Sequence, residues 1–175
     1  CDTAGQGATC DANCTLPVCG DGTLNTAAGE TCDDGNLLNN DSCPSTCLVG
    51  TCGDGFLCTA PGCTTGPTGG AEQCDNAGAN SNVAPDACRT NCRNAGCGDN
   101  VTDTGEACDT SGNSLTCDGN CTLPLCGDGT FNAAAGEGCD DGNVNNNDPC
   151  PITCDPATCG DGFICSAGGC TTGPS

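Results

Sequence analysis

Hydrophobic positions are sparse along this chain and follow no period. Leu, Ile, Val and Phe occupy 19 of its 175 positions. No window carries them at the 3.6-residue spacing of a helix face or in the alternation of a half-buried strand. Glycine at 29 positions and proline at 10 interrupt what would remain. The pattern therefore predicts turns, short hairpins and isolated helical turns, with no long element. What does recur is the sequence itself. Residues 1–68 return without a gap as residues 108–175, an offset of 107, with 48 of the 68 positions identical. Every cysteine of the first copy falls on a cysteine of the second, from Cys1 on Cys108 to Cys63 on Cys170. Repetition at a fixed offset predicts a tandem-repeat rod or solenoid in which each unit touches its neighbours.

A smaller unit lies inside that period: C-G-D-[GN], a Gly/Thr/Ala-rich stretch, E-x-C-D, then C-x3-C. Its starts are Cys19, Cys52, Cys97, Cys126 and Cys159, spaced 33, 45, 29 and 33 residues apart. The chain thus divides into a partial repeat at 1–18, a cysteine-rich repeat at 19–51, a long one at 52–96, a short one at 97–125, another at 126–158 and a partial repeat at 159–175. The long unit inserts Cys58 and Cys63, and the insertion returns at Cys165 and Cys170. Complete units hold four or six cysteines, an even number that permits closure within the unit. Four cysteines allow three pairings, and the sequence does not choose among them. The end spans carry three cysteines each and read as cut inside a unit, so the chain is expected to be a window on a longer array. Full pairing, with no free thiol, is the expectation for the intact material.

So few aliphatic residues at a net charge of −21 would ordinarily mean disorder. The 24 cysteines reverse that expectation. They place the chain among small disulfide-rich scaffolds of irregular loops, where each cross-link removes about 2–4 kcal/mol of unfolded-state freedom. Disulfides persist in oxidising compartments, so the chain is expected to be extracellular or at a cell surface, with its signal peptide upstream. Two basic residues, Arg89 and Arg93, stand against 23 acids. That balance excludes electrostatic binding to nucleic acid or an anionic membrane, and no apolar run is long enough for insertion. Cations are the expected partners.

The acids are placed strictly. All four glutamates, Glu30, Glu72, Glu106 and Glu137, stand two residues before a cysteine that is followed by aspartate, namely Asp33, Asp75, Asp109 and Asp140. The C-G-D elements add Asp21, Asp54, Asp99, Asp128 and Asp161. Two units extend the cluster to C-D-D-G-N-x-x-N-N-D, with Asp34, Asn36 and Asp41 in one and Asp141, Asn143 and Asp148 in the other. Short acids and amides on Gly-rich loops suit Ca2+, which takes six to eight oxygens. The reading is structural Ca2+ at roughly one ion per unit, tighter in the enlarged units. Against it stands the plainer role of Asp and Asn as turn formers, which leaves the fixed Glu without an explanation. Zinc is disfavoured by the C-x3-C spacing and the lack of His. Without His, Lys or Tyr there is no usual general base, and three Phe cannot line a sugar cleft, so no enzyme activity is expected.

The string C-G-D-G-x(6)-G-E-x-C-D-D-G-N-x(4)-D-x-C-x3-C, from Cys19 to Cys47 and again from Cys126 to Cys154, resembles the Myxococcus-type cysteine-rich repeat, also described as the DUF4215 repeat. The unit at Cys97 resembles it in shortened form and the unit at Cys52 with its insertion. Such repeats occur in large secreted and surface proteins of bacteria, and beside Notch-type calcium modules in pappalysin-like metalloproteases. The resemblance implies an extracellular, disulfide-bonded, calcium-bearing spacer without an activity of its own.

These readings converge on a structural segment of an extracellular, Ca2+-stabilised repeat fibre, stalk or filament of bacterial origin. Its partners would be neighbouring repeats or copies of itself, and calcium ions. The alternative is an adhesive or regulatory binding module of a large secreted protein, for example a spacer beside a metalloprotease domain. Differences between the two copies, such as Leu38 against Asn145 and Leu48 against Asp155, are scattered and favour the scaffold.

Overall fold

Turns and cross-links replace secondary structure in this protein. The computed structural model describes residues 1–2 and 5–170, so the last five residues of the closing partial repeat lie outside the described residues. Regular elements among the described residues amount to three single 3-10 turns, Pro67–Gly69, Ala77–Ala79 and Ala133–Ala135. One isolated antiparallel bridge joins Gly7 and Cys10. The short hairpins expected from the sequence are reduced to that bridge. The reason is covalent: bonds closing loops of 9 to 14 residues curl the chain before two strands can run side by side.

Eleven disulfides form, and in each complete unit they nest. The first and last cysteines close an outer loop, in Cys19–Cys47, Cys52–Cys92, Cys97–Cys121 and Cys126–Cys154. The second and third of the common set close an inner loop, in Cys32–Cys43, Cys74–Cys88, Cys108–Cys117 and Cys139–Cys150. The inserted pairs bond to each other, Cys58–Cys63 and Cys165–Cys170, and Cys1 bonds to Cys10. No bond crosses from one unit to the next. Complete pairing does not hold, however: Cys14 and Cys159 carry free, exposed thiols. Cys14 aligns with Cys121 and Cys159 with Cys52. Both therefore stand at outer-loop positions.

The interior is sulfur, polar groups and two prolines, Pro44 and Pro151. Among the described residues every buried hydrophobic side chain counted in the core is a cysteine, while Leu16, Val83 and Ile164 are mostly exposed. The largest fully buried side chains include Asn25, Asn132, Asp11 and Asp118. They form a repeated joint between consecutive units. Asn25 Nδ2 donates to Asp11 Oδ1 at 2.8 Å and to the Gly7 carbonyl at 3.0 Å, while its Oδ1 accepts from Ala28 N–H. Asn132 does the same with Asp118 Oδ1 and the Ser114 carbonyl, and caps the turn at Ala133–Ala135 by accepting from the Ala134 and Ala135 N–H groups. A different joint leads into the long unit: the Asn40 carbonyl accepts from the Thr59 and Ala60 N–H groups, as the Asn147 carbonyl does from Ser166 and Ala167. The chain falls into two compact bodies, Cys1–Ala95 and Gly96–Ser175, each containing one copy of these joints.

Backbone shape is fixed at the same places. The last cysteine of every C-x3-C, Cys14, Cys47, Cys92, Cys121 and Cys154, has φ between 52° and 68°. Gly20 and Gly127 need to be glycine twice over. Their φ values are +81° and +82°, and a Cβ would collide with the carbonyl of Asn36 or Asn143.

Replacing Asn132 by Ala should open its joint without touching a disulfide. Buried groups left without a partner cost about 1–3 kcal/mol each, and Asp118 Oδ1 would be one of them. Amide exchange should show lost protection at Ala134, Ala135 and Glu137 while peptide mapping returns the same disulfides. Unchanged protection there would contradict the joint.

Candidate functional site

The aspartate after each second cysteine is the acceptor around which its unit closes. Asp33 Oδ2 accepts from Gly20 N–H at 2.9 Å, and its Oδ1 accepts from Gly22 and Gly35, both at 2.8 Å. Asp140 accepts from Gly127, Gly129 and Gly142. Asp75 accepts from Gly53, Gly55 and Ala77, and Asp109 from Gly98 and Asp99. The C-G-D-[GN] and C-D elements, far apart in sequence, are thus one construction: the outer disulfide brings them together and the carboxylate collects the glycine N–H groups. Successive N–H groups converging on one anion form a concave anion site, here filled by the protein's own side chain. The fourth position of C-G-D-[GN] explains its own alternatives, since Gly22, Gly55, Gly129 and Gly162 have positive φ and Asn100 stands there with φ 70°, a conformation Asn tolerates.

The glutamates are accounted for as well. Glu30 Oε2 accepts from Asn25 N–H at 2.7 Å while Glu30 N–H donates to the Asn25 carbonyl. Glu137 makes the same two-bond clamp on Asn132, Glu106 on Asp103 and Glu72 on Cys58. One acid and one backbone position hold each loop shut. The C-G-D aspartates form side-chain turns two residues ahead, Asp21 with Thr23, Asp54 with Phe56, Asp99 with Val101, Asp128 with Thr130 and Asp161 with Phe163. In the enlarged loops Asp34, Asn36, Asp41, Asp141, Asn143 and Asp148 each accept in the same way from the N–H two residues on.

Some predicted ligands are brought together and others are not. Carboxylate oxygens of Glu30 and Asp33 lie with Cys47 Sγ inside a sphere of mutual distances below 4.8 Å, as do Glu137 and Asp140 with Cys154 Sγ. Glu72 groups with Cys52 and Cys92, and Glu106 with Cys97 and Cys121. Asp21, Asp128 and the extra acids of the D-D-G-N loops belong to none of these groups. Every sulfur involved is in a disulfide and has no thiolate to offer a metal. A hard cation is served in part: two carboxylates meet at Glu30–Asp33 and at Glu137–Asp140, and Glu72 Oε1 is buried with no hydrogen-bond donor among the described residues. Two carboxylates supply fewer than the six to eight oxygens of a full Ca2+ shell.

Sequence reasoning missed Asn25, Asn132, Asp11 and Asp118. The signal was present, since both pairs are identical in the two copies, yet each looks like an ordinary loop residue until its burial is seen.

Electrostatics follows the hydrogen bonds. At Asp33 partial desolvation pushes the pKa up, but the N–H groups of Gly35, Gly22, Gly20 and Asp21 outweigh it and hold the carboxyl below its ordinary 3.8. At Asp161 the Phe163 and Thr158 N–H groups lower it likewise.

A family model described as "Domain of unknown function (DUF4215)" matches residues 1–48, which supports the cysteine-rich repeat family that the C-G-D-G…C-x3-C string resembles. No curated protein and no solved structure matches the chain. The eleven disulfides and this repeat mark an extracellular cysteine-rich module, and no described helix is long and apolar enough to cross a membrane.

A carboxyl whose pKa falls on folding contributes stability that is complete above its unfolded value and is lost as pH drops through the folded value. For Asp33 the unit should therefore be indifferent to pH from neutrality down to about 4, then loosen below 3.8. An NMR titration should show the amides of Gly20, Gly22 and Gly35 shifting together in that range and losing protection. Asp33→Ala should abolish the protection at neutral pH, whereas Asp34→Ala should disturb only Asn36. Independent titration of the three glycines would contradict the shared acceptor.

Proposed function

We propose that the chain is a non-catalytic structural segment of an extracellular repeat fibre, stalk or filament, with Ca2+ as an auxiliary ligand at Glu30–Asp33 and Glu137–Asp140. The observation carrying this reading is the repetition of one restraint: outer disulfide, inner disulfide and carboxylate collecting glycine N–H groups recur in each complete unit. The recurrent acids are engaged in holding backbone, which is the work of a scaffold and leaves them poorly placed for acid–base chemistry. Units so closed resist extension and proteolysis, and joints such as Asn25–Asp11 transmit that stiffness to the next unit. Calcium bound between paired carboxylates would relieve part of the repulsion in a chain of net charge −21.

Electron microscopy of the native material tests the scaffold. Continuous filaments with an axial repeat are expected, and dispersed single particles would contradict it. Calcium is tested separately on the purified chain. Elemental analysis after dialysis against calcium-free buffer should find retained calcium that falls by one site in Glu137→Gln, with the disulfides unchanged. Retention of none would remove calcium from the account and leave the covalent scaffold standing.

A further inference from the structure

Aspartate followed by glycine is the step at which a polypeptide most readily rearranges, because a nitrogen with no Cβ beside it can reach the carboxyl group of the residue before it. The glycine nitrogen bonds to Cγ, its proton and the carboxyl hydroxyl leave as water, and a succinimide ring forms. Water then reopens the ring at the main-chain carbonyl, which leaves the glycine attached through Cγ as isoaspartate. The complete units contain six Asp-Gly steps, five of them on exposed residues. Burial gives those five no protection. In every step, however, the glycine N–H is held by the side chain of a third residue. Gly22 and Gly35, which follow Asp21 and Asp34, both donate to Asp33 Oδ1 at 2.8 Å. Gly129 and Gly142, which follow Asp128 and Asp141, donate to Asp140 Oδ1 at 2.9 and 2.8 Å. Gly55 donates to Asp75 Oδ1 at 3.2 Å, and Gly119 to Asn113 Oδ1 at 2.7 Å. The carboxyls open to attack are tied as well. Asp21 and Asp34 accept through Oδ1 from the Thr23 and Asn36 N–H groups, and Asp128 and Asp141 from those of Thr130 and Asn143.

We propose that the Asp-Gly steps are latent sites of isoaspartate formation, and that the shared carboxylates of Asp33 and Asp140 suppress the reaction at the two steps each of them covers. Attack requires the glycine nitrogen to lose its proton and turn toward the preceding Cγ. A carboxylate on that N–H opposes both, since its charge favours the protonated nitrogen and its position draws the N–H away from the preceding side chain. Asp33 does not serve as the base for the attack, because the N–H groups around it hold its carboxyl below the ordinary 3.8. The rearrangement would add one main-chain atom to a loop whose N–H groups must converge on a single oxygen, so each event would also undo the closure of its unit. One oxygen thus closes the loop and protects the two steps most exposed to the chemistry. All of these bonds lie within single units, so the protection does not depend on fibre assembly or on calcium.

The test ages the full chain by warm incubation at mildly acidic pH and locates isoaspartate by enzymatic methylation and peptide mapping. The repeat supplies a control within the molecule, since Asp21 and Asp34 share their flanking residues with Asp128 and Asp141. In the Asp33→Ala chain, isoaspartate at Asp21 and Asp34 should accumulate about tenfold faster than at Asp128 and Asp141, the effect of losing one charge-assisted bond. Asp140→Ala should reverse the pattern. Glu30→Ala loosens the same unit at its clamp on Asn25 and leaves Asp33 in place, so it should leave the rates at Asp21 and Asp34 within twofold of the unaltered chain. The unaltered chain, compared with itself after reduction and alkylation, needs no variant to fold: the four steps should age about tenfold faster once the disulfides are open. Equal rates at the two copies in Asp33→Ala, equal acceleration by Glu30→Ala, or an intact chain that ages as fast as the reduced one would each overturn the proposal.

Discussion

The outer disulfide is the constraint on which the rest of each unit depends. By joining the first and last cysteines it carries the C-G-D glycines to the aspartate after the second cysteine, residues separated by 11 to 22 positions. Only then can one carboxylate collect N–H groups that would otherwise face water. The order of causes runs from covalent closure to backbone polarity. The carboxylate could not hold the loops together by itself, because its bonds are solvent-facing and each contributes about 1 kcal/mol. The disulfide removes loop entropy, and the carboxylate then selects one conformation of the loop that remains.

The acidity of the chain has a corresponding explanation. A globular protein satisfies its backbone N–H groups with carbonyls in helices and sheets. The described residues form no α-helix and no sheet beyond one isolated bridge, and so their N–H groups turn to side chains. Asp and Glu are well suited, since an ionised carboxylate accepts several bonds and makes each stronger than a neutral acceptor would. The negative charge is, on this view, a by-product of using carboxylates where other folds use carbonyl oxygens. The near absence of Lys and Arg follows from the same arrangement, because a basic side chain would compete with the backbone for its acceptor.

Much of this was legible in the sequence. The disulfide-rich class, the lack of regular elements and the absence of an aliphatic core followed from 24 cysteines, 29 glycines and 19 large apolar residues. The nested pairing did not, because spacing alone permits every connectivity. The acids were legible as important, but the backbone bonds they make were not. Their fixed positions suggest a ligand set for Ca2+, and the structure adds a second role: Glu30, Glu72, Glu106 and Glu137 clamp backbone, while carboxylates also meet at Glu30–Asp33 and Glu137–Asp140. A recurrent acid looks the same in a sequence whether its partner is an ion or an N–H group. Asn25 and Asn132 were invisible for a related reason: Asn is common in loops, and only the fold buries these two against Asp11 and Asp118.

If covalent closure is the root of the structure, then reduction must remove everything else, because chain entropy of about 1–2 kcal/mol per residue finds no apolar core to oppose it. Small-angle scattering of the chain before and after full reduction, at neutral pH and with calcium present, tests this most directly. The reduced chain should expand to a radius of gyration near 44 Å, roughly that of an unfolded polymer of its length, and calcium should not prevent it. A reduced chain that kept its dimensions and its protected glycine amides would mean that the carboxylates or bound ions suffice to hold the fold, contrary to the account given above.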